Sequence, residues 1–186
     1  MYYTIGNSNT AIGYDSLSNN GSFENCSGLG KSSSVTASNQ VQLGDSSTTT
    51  YVYGTVQNRS DLRDKKDVQD TKLGIEFINA LRPVDFKWDL REDYKTQESN
   101  DISNISSDGS KKRSRFHHGL IAQEVKAILD EKGIDFGGFQ DHSVCGGQDV
   151  MSIGYDELIA PLIKSIQELH TELSIVKQEL NNIKNK

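Results

Sequence analysis

A serine and a lysine five residues apart, Ser60 and Lys65, carry side chains that together can break a peptide bond. A neutral lysine amine can accept the proton of a serine hydroxyl, which turns the hydroxyl oxygen into a nucleophile. An ordinary lysine has a pKa of about 10.4, and lowering it to about 7 costs on the order of 4 kcal/mol, through burial and nearby positive charge. We therefore expect the pair to react only in a folded, water-excluding setting, with Arg63 and Lys66 as sources of that charge. On spacing alone, an inert polar linker is the competing interpretation.

Four motifs follow one another along the chain, and the first of them contains this pair. They are S-D-x-R-x-K at 60–65, LRPVDFKW at 81–88, HHGLIAQEV at 117–125 and YDELIAPLIKSIQEL at 155–169. In this order they resemble the C-terminal intramolecular chaperone domain of phage endosialidase tailspikes, fibres and neck appendages. The resemblance covers roughly Ser60 to Glu179.

The resemblance implies a chain that trimerises, assists the folding of a β-structured fibre and then cuts itself off as a single-turnover serine peptidase. The bond cut is the one between Arg59 and Ser60, with Ser60 and Lys65 as the catalytic dyad. Cutting occurs either in cis or from a neighbouring subunit, and the sequence does not choose between them. The implied location is the virion, in a phage tail or neck appendage, after assembly in the host cytoplasm.

Three further residues take expected roles from the same resemblance. His118 and Gln123 match the H-G-x-x-A-Q-E run of the family and are candidates for positioning or oxyanion stabilisation. A satisfied structural histidine is the alternative for His118, and packing of a helix or interface is the expected role of Glu124. The chain departs from many relatives at Asp64, where they have leucine. Its carboxylate can hold Lys65 protonated and so slow the reaction.

The first 59 residues carry a loose repeat in which an aliphatic residue precedes a glycine. An inward aliphatic residue on each short turn, with glycine at the corner, is typical of a β-solenoid or β-roll. One chain supplies little apolar surface here, so we expect several chains to share the core; a disordered Ser/Asn linker is the alternative. The repeat already runs at Met1, which indicates the C-terminal part of a longer protein. Its four members are Ile5-Gly6, Ile12-Gly13, Leu29-Gly30 and Leu43-Gly44.

The middle of the chain indicates a small α/β domain from residue 60 to 154, an α+β class overall. Helices are expected from a cap at Asp70 or Thr71 to about Ala80, and from about Ala122 to Glu131 before Gly133. A polar insert at about 91–115 lacks the apolar residues of a core and is expected to protrude and to contact the preceding solenoid. Expected strands cover 50–56, 84–88 and 150–153, and a glycine-rich loop covers 136–148.

The last segment, 155–186, has the pattern of a coiled coil. Its eight aliphatic a and d positions recur at alternating steps of three and four residues, with glutamate at g and lysine at e. Branched residues at d favour three or more parallel strands over two. An amphipathic helix packed on its own domain is the alternative. The expected interface residues are Ile159, Leu162, Ile166, Leu169, Leu173, Val176, Leu180 and Ile183.

Composition argues against several partner classes. The net charge of −6 gives no reason to expect nucleic acid or an acidic membrane as a partner, and no apolar run approaches the ~20 residues of a membrane span. Cys26 and Cys145 lie in different regions and suggest no disulfide framework. His142 with Cys145 has a metal-like spacing but lacks a second ligand pair, so we expect no metal and no cofactor.

The resulting hypothesis is a self-cleaving, trimeric folding chaperone at the end of a phage fibre. One rival is a permanent trimerisation tip that never cleaves. A second is a Ser–Lys hydrolase acting on an outside substrate, which is disfavoured because no nucleophile elbow is present.

We predict a parallel homotrimer held mainly by residues 159–183. Each a or d side chain that leaves water contributes roughly 1.5–3 kcal/mol, and a monomer forgoes that free energy. Sedimentation equilibrium at micromolar concentration should therefore give three times the chain mass. The double substitution Leu169→Asp and Leu173→Asp should give the monomer mass, and a wild-type protein that already sediments as a monomer would contradict the prediction.

Overall fold

The structure, a computed structural model, describes residues 6–18, 21–96 and 101–185. The chain divides into two compact units, each built from three separate stretches. The first unit comprises Met1–Gln57, Asp85–His118 and Asp141–Ser152; the second comprises Asn58–Val84, Gly119–Gln140 and Ile153–Lys186. Helices and small sheets are both present, which confirms the α+β class. The domain boundaries at residues 60 and 155 stay a prediction.

The N-terminal stretch of the first unit forms a three-stranded parallel sheet. Its strands are β1 (Thr10–Ile12), β2 (Ser27–Leu29) and β3 (Val41–Leu43), in that order across the sheet. Ile12, Leu29 and Leu43 stand in register with one another, so the repeat seen in the sequence is the repeat of the strands. The first member of that repeat, Ile5, lies outside the described residues.

In the single chain, the aliphatic residues of the repeat face outwards, and the expected core shared by several chains stays a prediction. Ile12, Leu29 and Leu43 are 40–62 % exposed. The small core of this stretch is instead formed by residues of the connections, because these fold back beneath the sheet; its buried members are Leu17, Cys26 and Val35.

Glycine does stand at each corner, as the sequence predicts. Gly13, Gly30 and Gly44 follow the three strands, and all have positive φ, between 72° and 133°. A Cβ at Gly13 would lie 2.4 Å from the carbonyl oxygen of Gly30. The corners therefore require glycine both for their backbone conformation and for the close approach of neighbouring turns.

The segment at 50–56, predicted to be a strand, forms no regular secondary structure. Its large apolar side chains, among them Tyr51, Tyr53 and Val56, are exposed. High β-propensity reflects packing against neighbouring strands, and within the described residues this segment has no strand beside it.

The insert contacts the N-terminal stretch within the first unit. Ser46 donates a hydrogen bond to Asp93 (2.9 Å), and Arg113 bonds both Asp93 (2.7 Å) and Ser46 (3.1 Å). Ile102 of the insert is buried, with its carbonyl held by Arg91 at 3.0 Å. The predicted contact is thus present, although residues 97–100 of the insert lie outside the described part.

Two short strand pairs lie where the chain passes between the units. β4 (Val84–Phe86) pairs with β5 (His117–Gly119), and β6 (Phe139–Asp141) pairs with β7 (Met151–Ile153). β4 and β7 agree with the predicted strands to within two residues. β6 was missed, because a three-residue strand among glycines leaves no alternating pattern.

Three helices form the second unit: α1 (Ile75–Ala80), α2 (Ala122–Lys132) and α3 (Ile159–Lys184). They enclose one apolar core in which the rings of Phe77 and Phe136 lie 5.5 Å apart. α2 ends at Gly133 in the left-handed conformation, as predicted. The other buried members of this core are Val125, Leu129 and Leu158.

The start of α1 differs from the prediction. It begins at Ile75, not at a cap provided by Asp70 or Thr71, and the N-cap position is Gly74. The backbone N–H of Ile75 donates to the carboxylate of Glu168 in α3 at 2.7 Å. A Cβ at Gly74 would lie 2.1 Å from that carboxylate, so the glycine makes room for a cap supplied from 93 residues away.

His142 is a buried member of the first unit and not half of a metal pair. Its Nδ1 lies 2.6 Å from the Thr36 hydroxyl and its Nε2 lies 3.1 Å from the Ser152 hydroxyl, whereas Cys145 is exposed. Among the described residues, no group of three or more His, Cys, Asp or Glu side chains is placed to hold a metal. No helix in the described part is long and apolar enough to cross a membrane.

We predict that His142 makes the stability of the first unit depend on pH. Burial lowers its pKa below the ordinary value of 6.5, while Asp141 acts weakly in the opposite sense. The unfolded chain then binds the proton more readily, so the free energy of unfolding should fall as pH drops below about 6.5 towards the folded pKa. Urea unfolding between about pH 5 and 8 measures this dependence.

The matched control for this prediction is a histidine on the surface. His142→Gln should flatten the dependence, whereas the same substitution at the exposed His170 should leave it unchanged. Equal slopes for wild type and His142→Gln would show that another group titrates.

Candidate functional site

Ser60 and Lys65 are brought into direct contact. The amine of Lys65 donates a hydrogen bond to the Ser60 hydroxyl, with Nζ and Oγ 2.8 Å apart. This distance is within the range over which a proton passes between a nucleophile and its base. The motif spacing thus produces a side-chain pair with the geometry that a Ser–Lys dyad needs.

A single 3₁₀ turn, Leu62–Asp64, reverses the chain between the two residues. Its backbone bonds run from Asp64 N to Asp61 O and from Lys65 N to Leu62 O, both 3.1 Å. Asp61 is the N-cap residue, and its carboxylate accepts from the backbone N–H of Arg63 at 2.8 Å. Because of this turn, the side chain of Lys65 lies beside that of Ser60, five residues earlier in the chain.

The arginine of the motif is paired within the turn. The guanidinium of Arg63 meets the Asp61 carboxylate through Nε–Oδ1 (3.0 Å) and Nη2–Oδ2 (2.7 Å). This hydrogen bonding lowers the pKa of Asp61 and raises that of Arg63, so both stay charged and neutralise each other. Arg63 is therefore a weaker source of positive charge for Lys65 than the sequence suggested.

The carboxylate of Asp64 has its ion-pair contact with Arg59, the residue before the predicted cleavage point. The Nε–Oδ2 distance is 3.7 Å, and both side chains are largely exposed. An exposed pair at this distance contributes little stability. The expected pairing of Asp64 with Lys65 is not among the ion pairs of the described residues.

The stretch before the dyad is tied to the fourth motif. The side-chain amide of Asn58 donates to Asp156 at 3.4 Å, and Asp156 belongs to the 3₁₀ turn Tyr155–Leu158 that leads into α3. The hydroxyl of Tyr155 accepts from the backbone N–H of Leu120 at 2.9 Å, which links the third motif to the same turn.

The second and third motifs are joined by an ion pair between Arg82 and Glu124. Arg82 Nε lies 2.9 Å from Glu124 Oε2, and a second, shorter contact joins Nη2 to Oε1. The role of Glu124 in packing a helix or interface stays a prediction. Contacts within the second unit therefore join the second motif to the third and the third to the fourth, and Asn58 joins the residues before the first motif to the fourth.

The two remaining candidate residues, His118 and Gln123, lie on β5 and α2. The Nδ1 of His118 lies 2.5 Å from the carboxylate of Asp85 in the first unit, and both side chains are exposed. Gln123 is exposed on α2. Asp85 was missed by sequence reasoning; the only signal was its alternation with Val84 and Phe86, which puts its side chain on the polar face of the strand.

Both dyad residues are exposed in the single chain. None of the residues of the turn is buried, so the chain's own fold does not exclude water from the hydroxyl or the amine. The described residues therefore do not supply the burial that a lysine needs in order to act as a base.

The heptad face of α3 is also exposed. Its eight a and d side chains are 44–70 % exposed. The helix contacts α1 through a different face, which includes the buried Pro161 and Ser165 and the capping Glu168. An amphipathic helix that served its own domain would turn its apolar stripe inwards, and this one does not.

Comparison with known proteins agrees with the resemblance that the four motifs indicate. No curated protein matches the chain, but residues 60–134 match the family model Peptidase_S74, described as chaperone of endosialidase. The matched segment begins at Ser60 and contains the first three motifs. The resemblance inferred from the sequence is thereby confirmed: residues 60–134 are similar to the chaperone-of-endosialidase family.

Proposed function

We propose that this chain is the C-terminal intramolecular chaperone of a phage tail fibre or neck appendage. The chain forms a trimer and guides the folding of the β-structured fibre that precedes it. It then cleaves itself between Arg59 and Ser60. The observation that carries the proposal is the 2.8 Å contact between Lys65 Nζ and Ser60 Oγ. The family name supports a serine peptidase type of chemistry.

The reaction begins with a neutral Lys65. The amine takes the proton of the Ser60 hydroxyl while Oγ forms a bond to the carbonyl carbon of Arg59. The carbon–nitrogen bond then breaks, and the lysine returns its proton to the departing amine of Ser60. Within one chain this gives an ester through a five-membered ring, which water hydrolyses to free the Arg59 carboxyl group. A neighbouring subunit's serine can perform the same attack.

Assembly supplies what the single chain lacks. The dyad is exposed in the single chain, whereas a lysine that acts as a base requires the removal of water. Trimerisation through the exposed face of α3 would bring other chains close and exclude water. Cleavage would then follow correct assembly, and it would act as a report of it.

We predict that the full-length chain is cut into pieces of 59 and 127 residues. Ser60→Ala and Lys65→Ala should each leave it intact, because one removes the nucleophile and the other the base. Lys66→Ala is the matched control and should still cleave, since the amine in contact with Ser60 is that of Lys65. Mass spectrometry of the purified proteins identifies the cut bond.

Two further measurements separate this function from its rivals. The cleavage rate should rise with pH as neutral lysine becomes more populated, and Leu169→Asp with Leu173→Asp should abolish cleavage along with the trimer. An intact wild-type trimer under all conditions would favour a permanent trimerisation tip. A Lys65→Ala protein that still cuts at Arg59–Ser60 would exclude the lysine as base.

The non-cleaving tip is the second candidate, and one observation favours it. The described structure leaves the lysine amine in water, where it is a poor base. The two candidates predict the same oligomer, so only the integrity of the chain distinguishes them.

A further inference from the structure

The charged residues between the nucleophile and its base form a structural unit of their own. Asp61 accepts from both the backbone and the side chain of Arg63, and these contacts span the turn that separates Ser60 from Lys65. We propose that Asp61 and Arg63 are positioning residues, which hold the turn closed so that the Lys65 amine meets the Ser60 hydroxyl. This inference rests on the proposed function and adds two positioning residues to the proposed site.

The turn needs such support because its backbone alone holds it weakly. Two backbone hydrogen bonds close it, and no residue in it is buried. A short helical turn fixes several dihedral angles for each bond gained, so it is unstable unless side chains or packing add to it. None of the residues of the turn is buried among the described residues, so its side-chain support consists of the Asp61 cap with its ion pair and the longer, exposed pair of Arg59 with Asp64.

The form of the contact suits an arginine. The guanidinium presents two parallel N–H donors, and the carboxylate of Asp61 accepts through both oxygens. The same carboxylate also accepts from the backbone of Arg63, so one side chain fixes the backbone and the side chain of its partner. A lysine at position 63 would keep the charge but lose the planar fork.

This pair acts on position and not on charge. The carboxylate and the guanidinium neutralise each other, so together they place little net charge beside Lys65. Loss of the pair should lower the plateau of the cleavage rate while its pH midpoint stays unchanged. A group that acted by tuning the lysine's proton affinity would move the midpoint instead.

A series of substitutions in the full chain tests the inference. Asp61→Ala removes cap and ion pair together and should slow cleavage at least about tenfold. The pH midpoint is compared in the double variant Asp61→Ala with Arg63→Ala, which removes both charges at once and should leave the midpoint unchanged. Asp61→Asn keeps an acceptor for the backbone N–H and should recover part of the rate. Arg63→Lys should fall between wild type and Asp61→Ala. Asp70→Asn, which removes a carboxylate in the same exposed stretch, is the control and should cleave normally.

A second readout does not depend on cleavage. In the uncut Ser60→Ala chain, the amides of Asp64 and Lys65 close the turn, and their hydrogen exchange is measurable by NMR. Adding Asp61→Ala should speed exchange at these two amides, while the sedimenting mass and the amides of α2 remain as before. These controls separate an opened turn from a chain that fails to fold.

The outcomes separate this inference from the proposed function. A wild-type chain that never cleaves refutes the proposed function, yet faster exchange in Asp61→Ala would still support the role of the pair in closing the turn. Wild-type cleavage in Asp61→Ala, a shifted pH midpoint in the double variant Asp61→Ala with Arg63→Ala, or unchanged exchange at Asp64 and Lys65 would each overturn the inference.

Discussion

The packing of Phe77 against Phe136, with Leu158 beside them, is the constraint on which the second unit depends. Leu158 ends the 3₁₀ turn that begins at Tyr155, and α3 starts at the next residue. Burying Leu158 therefore fixes both the start of α3 and the turn that holds Asn58 through Asp156. One apolar contact thus sets the position of the long helix and of the stretch that leads to Ser60.

The structure leaves two stripes of apolar side chains in water. The heptad face of α3 and the column formed by Ile12, Leu29 and Leu43 are both exposed. Soluble monomers seldom expose contiguous apolar stripes, since covering them contributes free energy roughly in proportion to their area. The exposed dyad fits the same picture, because its chemistry also calls for the removal of water. Each of these features is of a kind that is normally found buried in an interior or an interface.

The sequence predicted the elements whose signals are local. α2 and α3 follow from helical periodicity with a glycine stop or a heptad pattern, and the contact of Ser60 with Lys65 follows from their spacing and motif context. The start of α1 did not follow, because its cap is Glu168, which only the tertiary fold brings near. The side of the single chain on which the aliphatic column lies did not follow from the sequence either. A repeat gives the register of residues but not the side on which the chain folds back to make its core, and that side is decided by Leu17 and Val35 in the connections.

The stacked glycine corners have a consequence for how the N-terminal stretch tolerates change in length. Successive strands are 17 and then 14 residues apart, yet the residues of the column remain in register. The three-residue difference is therefore absorbed entirely within the connections. Insertions or deletions in the connections should be accommodated during evolution, whereas the glycine after each strand should not be replaceable, because of its positive φ. A sheet built this way can vary the length of its connections while the spacing between its strands stays constant.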